Sequence, residues 1–315
     1  MLANALYSRG YLLGLQGSYA AGLSDLKRAQ GIFESIDLPH HSLTALNGIA
    51  IMYNRMGDYA QARDMYSRAI KAQRAAALRR ELAVTLHNLG RQHENLGKWP
   101  QARAAFLESV EISRSLRYGR GEAYALRGLA AVASGENDPA AGLEILERAD
   151  ALQRETPDAR LHAQIQLARG IAYHKLRRLP ESIAMLEDAL KVFVLAKSSH
   201  ELRQTYATMA AVYAEMGNWR AAYEHLAQSK QTSERLLQNQ LDQRFATLKV
   251  EFDTVAKEKE NTLLLRENEA NQKALEHERR ARALQRAVIA QTAVLAVMLA
   301  SLAVHQWRTT RRMRR

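Results

Sequence analysis

Small residues recur every 40 positions along most of this chain, and this repeat constrains the fold more than any other feature. Three series of small residues share this period: Ala29, Ala69, Ser109, Ala149, Ala189 and Ser229; Gly10, Ala50, Gly90, Ala130, Gly170 and Ala210; Gly22, Ala62, Ala102, Gly142, Ser182 and Ala222. A bulky series lies in phase with them: Leu26, Tyr66, Phe106, Leu146, Leu186 and Leu226. Small residues let helices approach closely, and a bulky residue fills the space beside them. The pattern therefore predicts one helical hairpin stacked six times, because such a hairpin cannot bury its apolar face alone.

Each 40-residue unit divides into two predicted helices. In the third unit, Leu86, Gly90 and His93 lie on one helical face, Gly97 is expected to end the helix, and Trp99 to open the next one. No stretch of the repeats alternates apolar and polar residues with a period of two, so no sheet is expected. The predicted fold class is all-α, with a solenoid over residues 3–233.

The spacing of small and large residues resembles the tetratricopeptide repeat, a helix–turn–helix unit that usually has 34 residues. The resemblance is strongest in units two, three and six. Unit four departs from it, because Ala133 and Pro139 replace the residues of its stronger siblings and a turn glycine is missing. The resemblance implies a superhelix of six units whose concave surface is lined by the first helix of each unit.

Apolar residues continue after the repeats at alternating steps of three and four: Leu237, Leu241, Phe245, Leu248, Phe252 and Val255. This apolar seam, as we call these six residues, is typical of a coiled coil. It predicts a parallel homodimer within a helical linker over residues 234–286. The alternative is that the last repeat packs this helix as its own cap.

Residues 287–304 form an uncharged, apolar run of 18 residues, and Trp307 follows it. The chain has no cysteine and a net charge of +12, and nine arginines but no acid follow Glu278. Basic clusters beside an apolar run fit anionic lipid headgroups. We therefore expect a transmembrane helix over residues 287–307 and a basic tail over residues 308–315. The alternative is an apolar end of the coiled coil. Nucleic acid is not an expected partner, because the repeats mix both signs of charge.

The order of repeats, helical linker, membrane span and basic exit resembles the sensory half of bacterial transmembrane signalling proteins. In that family a diguanylate cyclase (GGDEF) or histidine kinase domain follows the span. The resemblance implies periplasmic repeats, a single pass through the inner membrane and a cytoplasmic C-terminus. Five arginines or lysines flank the span on each side, so the charge tally alone does not orient it. The start lacks a signal-peptide pattern, and we expect an incomplete N-terminus; an output domain is not in this chain.

Catalytic motifs are not apparent in the sequence. His93 and Glu94 are followed by Gly97 where a zinc-protease helix needs a second histidine. The absence of cysteine excludes a thiol nucleophile and cysteine-bound zinc. We therefore expect no enzyme, no cofactor and no metal site. The predicted ligand site is instead a row on the concave surface: Asn47, Asn54, Arg55, His87, Arg91, Asn95 and Arg127.

Asparagine and arginine in a groove suit a peptide backbone or a carboxylate, although a merely solvated face is the alternative. The first functional hypothesis is a sensory and signal-transmission module that binds a protein or peptide. The second is a stand-alone, membrane-anchored scaffold that recruits a protein partner. A third is a soluble repeat protein that oligomerises through its apolar end.

Overall fold

The structure is a computed structural model of the chain. It describes the backbone of residues 1–313 and the side chains of residues 1–250, 252–253, 256–257 and 259–305. The predictions for Val255, Trp307 and the basic tail therefore concern side chains outside the described residues. Within residues 1–313 the chain forms twelve helices and no strand. These are α1 (Leu2–Leu15), α2 (Tyr19–Ser35), α3 (Pro39–Arg55), α4 (Tyr59–Ala75), α5 (Arg79–Asn95), α6 (Trp99–Ser115), α7 (Gly119–Gly135), α8 (Pro139–Glu155), α9 (Ala159–Lys175), α10 (Leu179–Leu195), α11 (Ser199–Glu215) and α12 (Trp219–Met313).

The helices follow a regular grid, with α2 to α11 each 17 residues long. A left-handed residue ends most of them, because this conformation lets backbone N–H groups bond back to the last carbonyls of the helix. Gly57 (φ 77°) and Gly97 (φ 66°) do this within units two and three, as the predicted helix break at Gly97 requires. Non-glycine residues adopt the same conformation elsewhere: Asp37, Ala77, Arg117, Asn137, Arg177 and Lys197. Unit four thus keeps its turn without a glycine.

The small and bulky series pack as predicted through most of the solenoid. Phe106 is fully buried, and a Cβ added to Gly90 or Gly128 would lie 2.7 Å or 2.4 Å from its ring. This close approach explains why small residues recur beside the bulky ones. The prediction is wrong for the last bulky position, because Leu226 is 58% exposed. Bulky residues of this series pack against the following hairpin, and α12 is not followed by one among residues 1–313.

The chain divides into two compact regions, Met1–Thr247 and Leu248–Arg315. The first region contains the stacked hairpins and the beginning of α12. The second region contains the rest of α12, in which one described stretch between Lys259 and His305 is long and apolar enough to cross a membrane. None of that stretch is buried in the structure. The all-α fold with a long apolar C-terminal helix is thereby confirmed.

Candidate functional site

The odd-numbered helices, which are the first helices of the units, form a continuous inner row. Each contacts the next, from α1 to α3 and onward to α11. The row curves strongly, because Arg91 of α5 lies 3.8 Å from Glu201 of α11 although α7 and α9 separate them along the row. Side chains of distant units therefore meet across the concave surface, which we call the channel.

Several basic side chains converge on Glu201 in this channel. Its Oε1 accepts hydrogen bonds from Nε2 of Gln164 at 3.1 Å and from Nη2 of Arg160 at 3.4 Å, with Arg91 beyond them. Burial alone would raise the pKa of Glu201, but Arg91, Arg160 and Arg55 outweigh it and lower the pKa to about 2. Its second oxygen, Oε2, is buried and has no partner among the described side chains.

Arg127 is the most deeply buried base of the channel, with 7% of its side chain exposed. Its Nη1 donates to both oxygens of Glu94, at 3.0 Å and 3.2 Å. Burial lowers the pKa of this guanidinium, and Glu94 opposes that effect. The Nε and Nη2 atoms are buried and lack a hydrogen-bond partner within the described part of the chain. Only one side of the guanidinium is therefore satisfied.

Two histidines stay neutral beside these bases. The ring of His87 packs 5.7 Å from the rings of both Phe106 and Tyr124. Burial, followed by the charges of Arg127 and Arg91, holds its pKa well below the usual value. Burial and Arg55 likewise lower the pKa of His200 to about 4. Neutral rings leave the arginines as the cations of the channel at neutral pH.

These contacts and electrostatic effects define what we call the inner charge cluster. Its members are Arg55, His87, Arg91, Glu94, Arg127, Arg160, Gln164, His200 and Glu201. Four of the seven residues in the predicted row, Arg55, His87, Arg91 and Arg127, lie in this cluster. Among the other three, Asn47 accepts a hydrogen bond from Asn88 at 3.3 Å. Asn54 has a buried, unpartnered Oδ1, and Asn95 is exposed.

The residues contributed by α9 and α11 were missed from the sequence. A signal for them exists in the spacing of contacts between successive first helices. Arg160 and Glu201 are 41 residues apart, as are Asn47 and Asn88. Within the first helices, the offset of 41 residues is therefore the sequence signal that relates Arg160 to Glu201.

The first part of α12 contacts the two N-terminal units through polar side chains. Gln243 Oε1 accepts a hydrogen bond from the backbone N–H of Ala20 at 3.0 Å, and Gln240 Nε2 donates to the carbonyl of Arg55 at 3.2 Å. These are backbone groups at helix ends, which lack partners within their own helices. Thr247 reaches Met56 at 3.3 Å on the same side of α12. The glutamines thus satisfy helix ends of units one and two.

The apolar seam lies on a different face of α12. Leu241 follows Gln240 by one residue, which turns its side chain by about 100° around the helix. Leu237, Leu241 and Phe245 are 58%, 55% and 73% exposed, and Leu248 and Phe252 are also exposed. The described residues of the seam are therefore exposed.

A family model for the tetratricopeptide repeat matches residues 1–75 and 81–155. No curated protein matches the sequence. Among solved structures, apo RapI shares 14% identity and a TM-score of 0.62, covering 75% of this chain and 84% of its own. The Rap conjugation gene regulator of plasmid pLS20, in complex with the Phr* peptide, shares 17% identity and a TM-score of 0.64, covering 75% of this chain and 63% of its own. Apo NprR from B. thuringiensis shares 18% identity and a TM-score of 0.53, covering 68% of this chain and 60% of its own.

The repeat match and these structural neighbours agree with the helix pairs described above. The fold of the repeat region is a tetratricopeptide-repeat superhelix.

Proposed function

We propose that this protein is a non-catalytic sensory and signal-transmission module, anchored in a membrane, whose repeats bind a peptide or a peptide segment of a protein. The observation that carries the proposal is the inner charge cluster. It buries unpartnered donors on Arg127 and an unpartnered acceptor on Glu201 among the inner helices. A peptide supplies acceptors and donors alternately along its backbone, so it is the ligand class that fits both.

The structural neighbours support this ligand class. The pLS20 regulator was solved with the Phr* peptide, and a further Rap protein, with a TM-score of 0.60, was solved with Competence and Sporulation Factor. Identities of 12–17% to these proteins indicate a common fold and not a common ligand. The identity of the peptide must therefore be sought in the residues of this channel.

Transmission would run through α12. The contacts of Gln240 and Gln243 with units one and two are neutral hydrogen bonds, each of which stabilises by about 0.5–1.5 kcal/mol net. A ligand that changes the spacing of the inner row would therefore need little free energy to shift such contacts. Because α12 continues without interruption to Met313, a change in its seating on the repeats is a change at the start of the helix that carries the apolar stretch.

The membrane anchor and its orientation are part of the same proposal. The apolar stretch before His305 and the flanking arginines support a single membrane span. Its placement in the inner membrane, with the repeats in the periplasm and the C-terminus in the cytoplasm, rests on the resemblance to bacterial transmembrane signalling proteins and on the dense arginines after residue 307. Alkaline phosphatase fused after Arg315, with the native upstream sequence present, should be inactive. Activity of that fusion would overturn the orientation.

Peptide capture by the full chain in detergent tests the binding function. Peptides retained from a random hexapeptide pool should fall at least about tenfold in the Arg91→Ala variant, because a charge-assisted bond and its channel position are lost. Arg68→Ala changes an exposed arginine of α4 and should leave retention unchanged. Equal recovery by both variants and the parent would contradict the channel assignment.

Hydrogen exchange separates the sensor from the stand-alone scaffold. If bound peptide alters the seating of α12, exchange of the Ala20 amide, which donates to Gln243, should change on binding. The Gly22 amide donates to the carbonyl of Ser18 within its own turn and serves as the internal control. Binding without any change at Ala20 would favour the scaffold.

A further inference from the structure

The apolar run over residues 287–304 contains three polar side chains, and two of them are satisfied by their own helix. The hydroxyls of Thr292 and Ser301 each donate to the carbonyl three residues earlier in α12, at 2.9 Å and 2.8 Å. Hydroxyls that bond back in this way need no partner from outside the helix. Gln291 differs, because its side chain is exposed and makes no hydrogen bond with the described residues. Within the apolar run, Gln291 is thus the polar side chain that needs a partner outside its helix.

The position of Gln291 indicates the kind of partner. It lies four residues after Ala287, which places it about 6 Å inside the apolar run along the helix axis. An amide without a hydrogen bond is costly in hydrocarbon, since no water is present to replace the lost bonds. A side-chain amide both donates and accepts hydrogen bonds, so a second amide at the same depth satisfies it. Copies of a single-span chain that insert in one direction place Gln291 at the same depth, which makes a parallel second copy the fitting partner.

The residues around Gln291 form an apolar face with the geometry that paired helices need. Large side chains recur on its side of α12 in alternating steps of four and three residues. We call this set the span face, and its members are Leu284, Val288, Gln291, Leu295, Met298 and Leu302. The five apolar members are between 53% and 68% exposed. Steps of four and three are the heptad pattern of a coiled coil, and most helix pairs in membranes cross at about +20° in the same left-handed manner.

Small residues mark a second face of the same helix, which is the alternative contact surface. Thr292, Ala296, Ala300 and Ala303 share this face, and small residues four positions apart let membrane helices approach closely. This face offers nothing to Gln291, because Ala296 is turned about 140° away from it around the helix. The unsatisfied amide therefore favours the span face over the small-residue face.

We propose that the membrane span of this protein pairs in parallel with the span of a second copy through the span face, with the two Gln291 amides hydrogen-bonded to each other. The inference rests on the membrane anchor of the proposed function and adds a docking surface to it. This surface is separate from the apolar seam, which ends at Val255, before the span face begins at Leu284. Pairing through one side of the helix fixes the rotation of each span relative to its copy.

Disulfide cross-linking of the full chain in bacterial membranes tests the pairing. The chain has no cysteine, so each introduced cysteine is its only thiol. Two helices form a disulfide where their Cβ atoms approach to about 3.5–4.5 Å. With copper phenanthroline and oxygen as the oxidant, Leu295→Cys should form covalent dimers. Val297→Cys is the matched control, because it lies only about 3 Å further along the axis but on the opposite side of the helix, and it should form at least about tenfold fewer dimers.

Substitutions at position 291 test the role of the amide. Hydrogen bonds between polar side chains of membrane helices strengthen association by about three- to thirty-fold. Gln291→Leu should reduce cross-linking of the Leu295→Cys chain by such a factor, although it makes the span more apolar. Gln291→Asn keeps the amide and should retain most of the cross-linking. Thr292→Val removes a hydroxyl that is satisfied within its own helix and should change nothing.

Resistance of the chain to extraction by alkaline carbonate separates failure of the inference from failure of the anchor. If the chain stays in the membrane but Leu295→Cys and Val297→Cys cross-link equally, the span face is wrong. Stronger cross-linking of Ala296→Cys than of Leu295→Cys would assign the contact to the small-residue face and overturn the proposal as well. Unchanged cross-linking of the Gln291→Leu chain would mean that the amide reaches water at the headgroups and would overturn the amide pair. A chain that carbonate extracts would contradict the membrane anchor, and the inference with it.

Discussion

The packing of Phe106 between two glycines makes Gly128→Ala an informative perturbation. A Cβ at position 128 would lie 2.4 Å from Cζ and 2.5 Å from Cε1 of the Phe106 ring. The ring cannot retreat towards α5, because it is fully buried and already lies only 2.7 Å from where a Cβ on Gly90 would be. The substitution therefore forces overpacking, which costs about 1–3 kcal/mol.

Helix propensity acts in the opposite direction, since alanine is favoured over glycine by about 1 kcal/mol in a helix interior. With a contact this short we take the upper end of the overpacking range, so the free energy of unfolding should fall by about 2 kcal/mol. Gly31→Ala supplies the control, because no atom lies within 4 Å of its added Cβ. That variant should gain about 0.5–1 kcal/mol. Urea unfolding of the full chain in detergent, followed by far-UV circular dichroism, measures both.

A second substitution tests whether the ring is the cause. Phe106→Leu removes the ring atoms that the new methyl group at position 128 would strike. A leucine and an alanine already occupy the equivalent positions one unit later, where Leu146 and Ala168 share a core cluster. The double variant should therefore be at least about 1 kcal/mol more stable than the sum of the single effects predicts. Additive effects, or a Gly128→Ala variant as stable as the parent, would refute the packing argument.

Three further predictions concern pH, turns and assembly. The pKa of His200 is about 4 in the fold, below its unfolded value of about 6.5. Its contribution to stability is therefore complete above pH 6.5 and is lost as the pH falls towards 4. His200→Gln should reduce the dependence of the free energy of unfolding on pH in this window, and an unchanged dependence would contradict the prediction. Ala77 is exposed at a φ of 54°, so Ala77→Gly should raise the free energy of unfolding by about 0.5–1 kcal/mol. A decrease in this free energy, measured by urea titration, would contradict the turn geometry. The exposed apolar seam should form a parallel homodimer, which Leu248→Asp should weaken and Gln228→Asp should leave unchanged. A detergent-corrected mass that is monomeric for the parent at tens of micromolar would exclude the dimer.

The period of 40 residues was enough to predict the stacked hairpins, because packing of small against large residues repeats in sequence whenever it repeats in space. It was not enough for the finer grid of turns. Left-handed turns at Gly57 and Gly97 carry a sequence signal, whereas the same backbone conformation at Asp37 or Ala77 does not. Leu226 shows the opposite failure, since its position in the series is regular but its burial depends on a hairpin that does not follow α12 among residues 1–313.

The candidate site, too, can be predicted from the sequence only in part. Helical spacing within unit three predicts Arg91 for the concave face, and helical spacing within unit four predicts Arg127 for it. Their partners depend on how successive units rotate, which fixes offsets such as the 33 residues between Glu94 and Arg127. The approach of Arg91 to Glu201 depends further on the curvature accumulated over three units. The sequence of a repeat protein reflects packing within a unit and between neighbouring units, whereas the shape of the enclosed channel depends on the sum of small rotations between successive units.

The two faces of the first part of α12 differ in how well the sequence predicts them. Leu237, Leu241 and Phe245 are evident as a seam because apolar residues at heptad spacing are rare on a solvated helix. Gln240 and Gln243, which contact the repeats, look like ordinary surface residues. The polar face contacts the repeats while the described residues of the apolar face are exposed, so the predicted homodimer would use a different side of the helix. Under the proposed function, a ligand that shifts the polar contacts would act on a face of α12 that the apolar seam does not share, so transmission and pairing would not compete for the same residues.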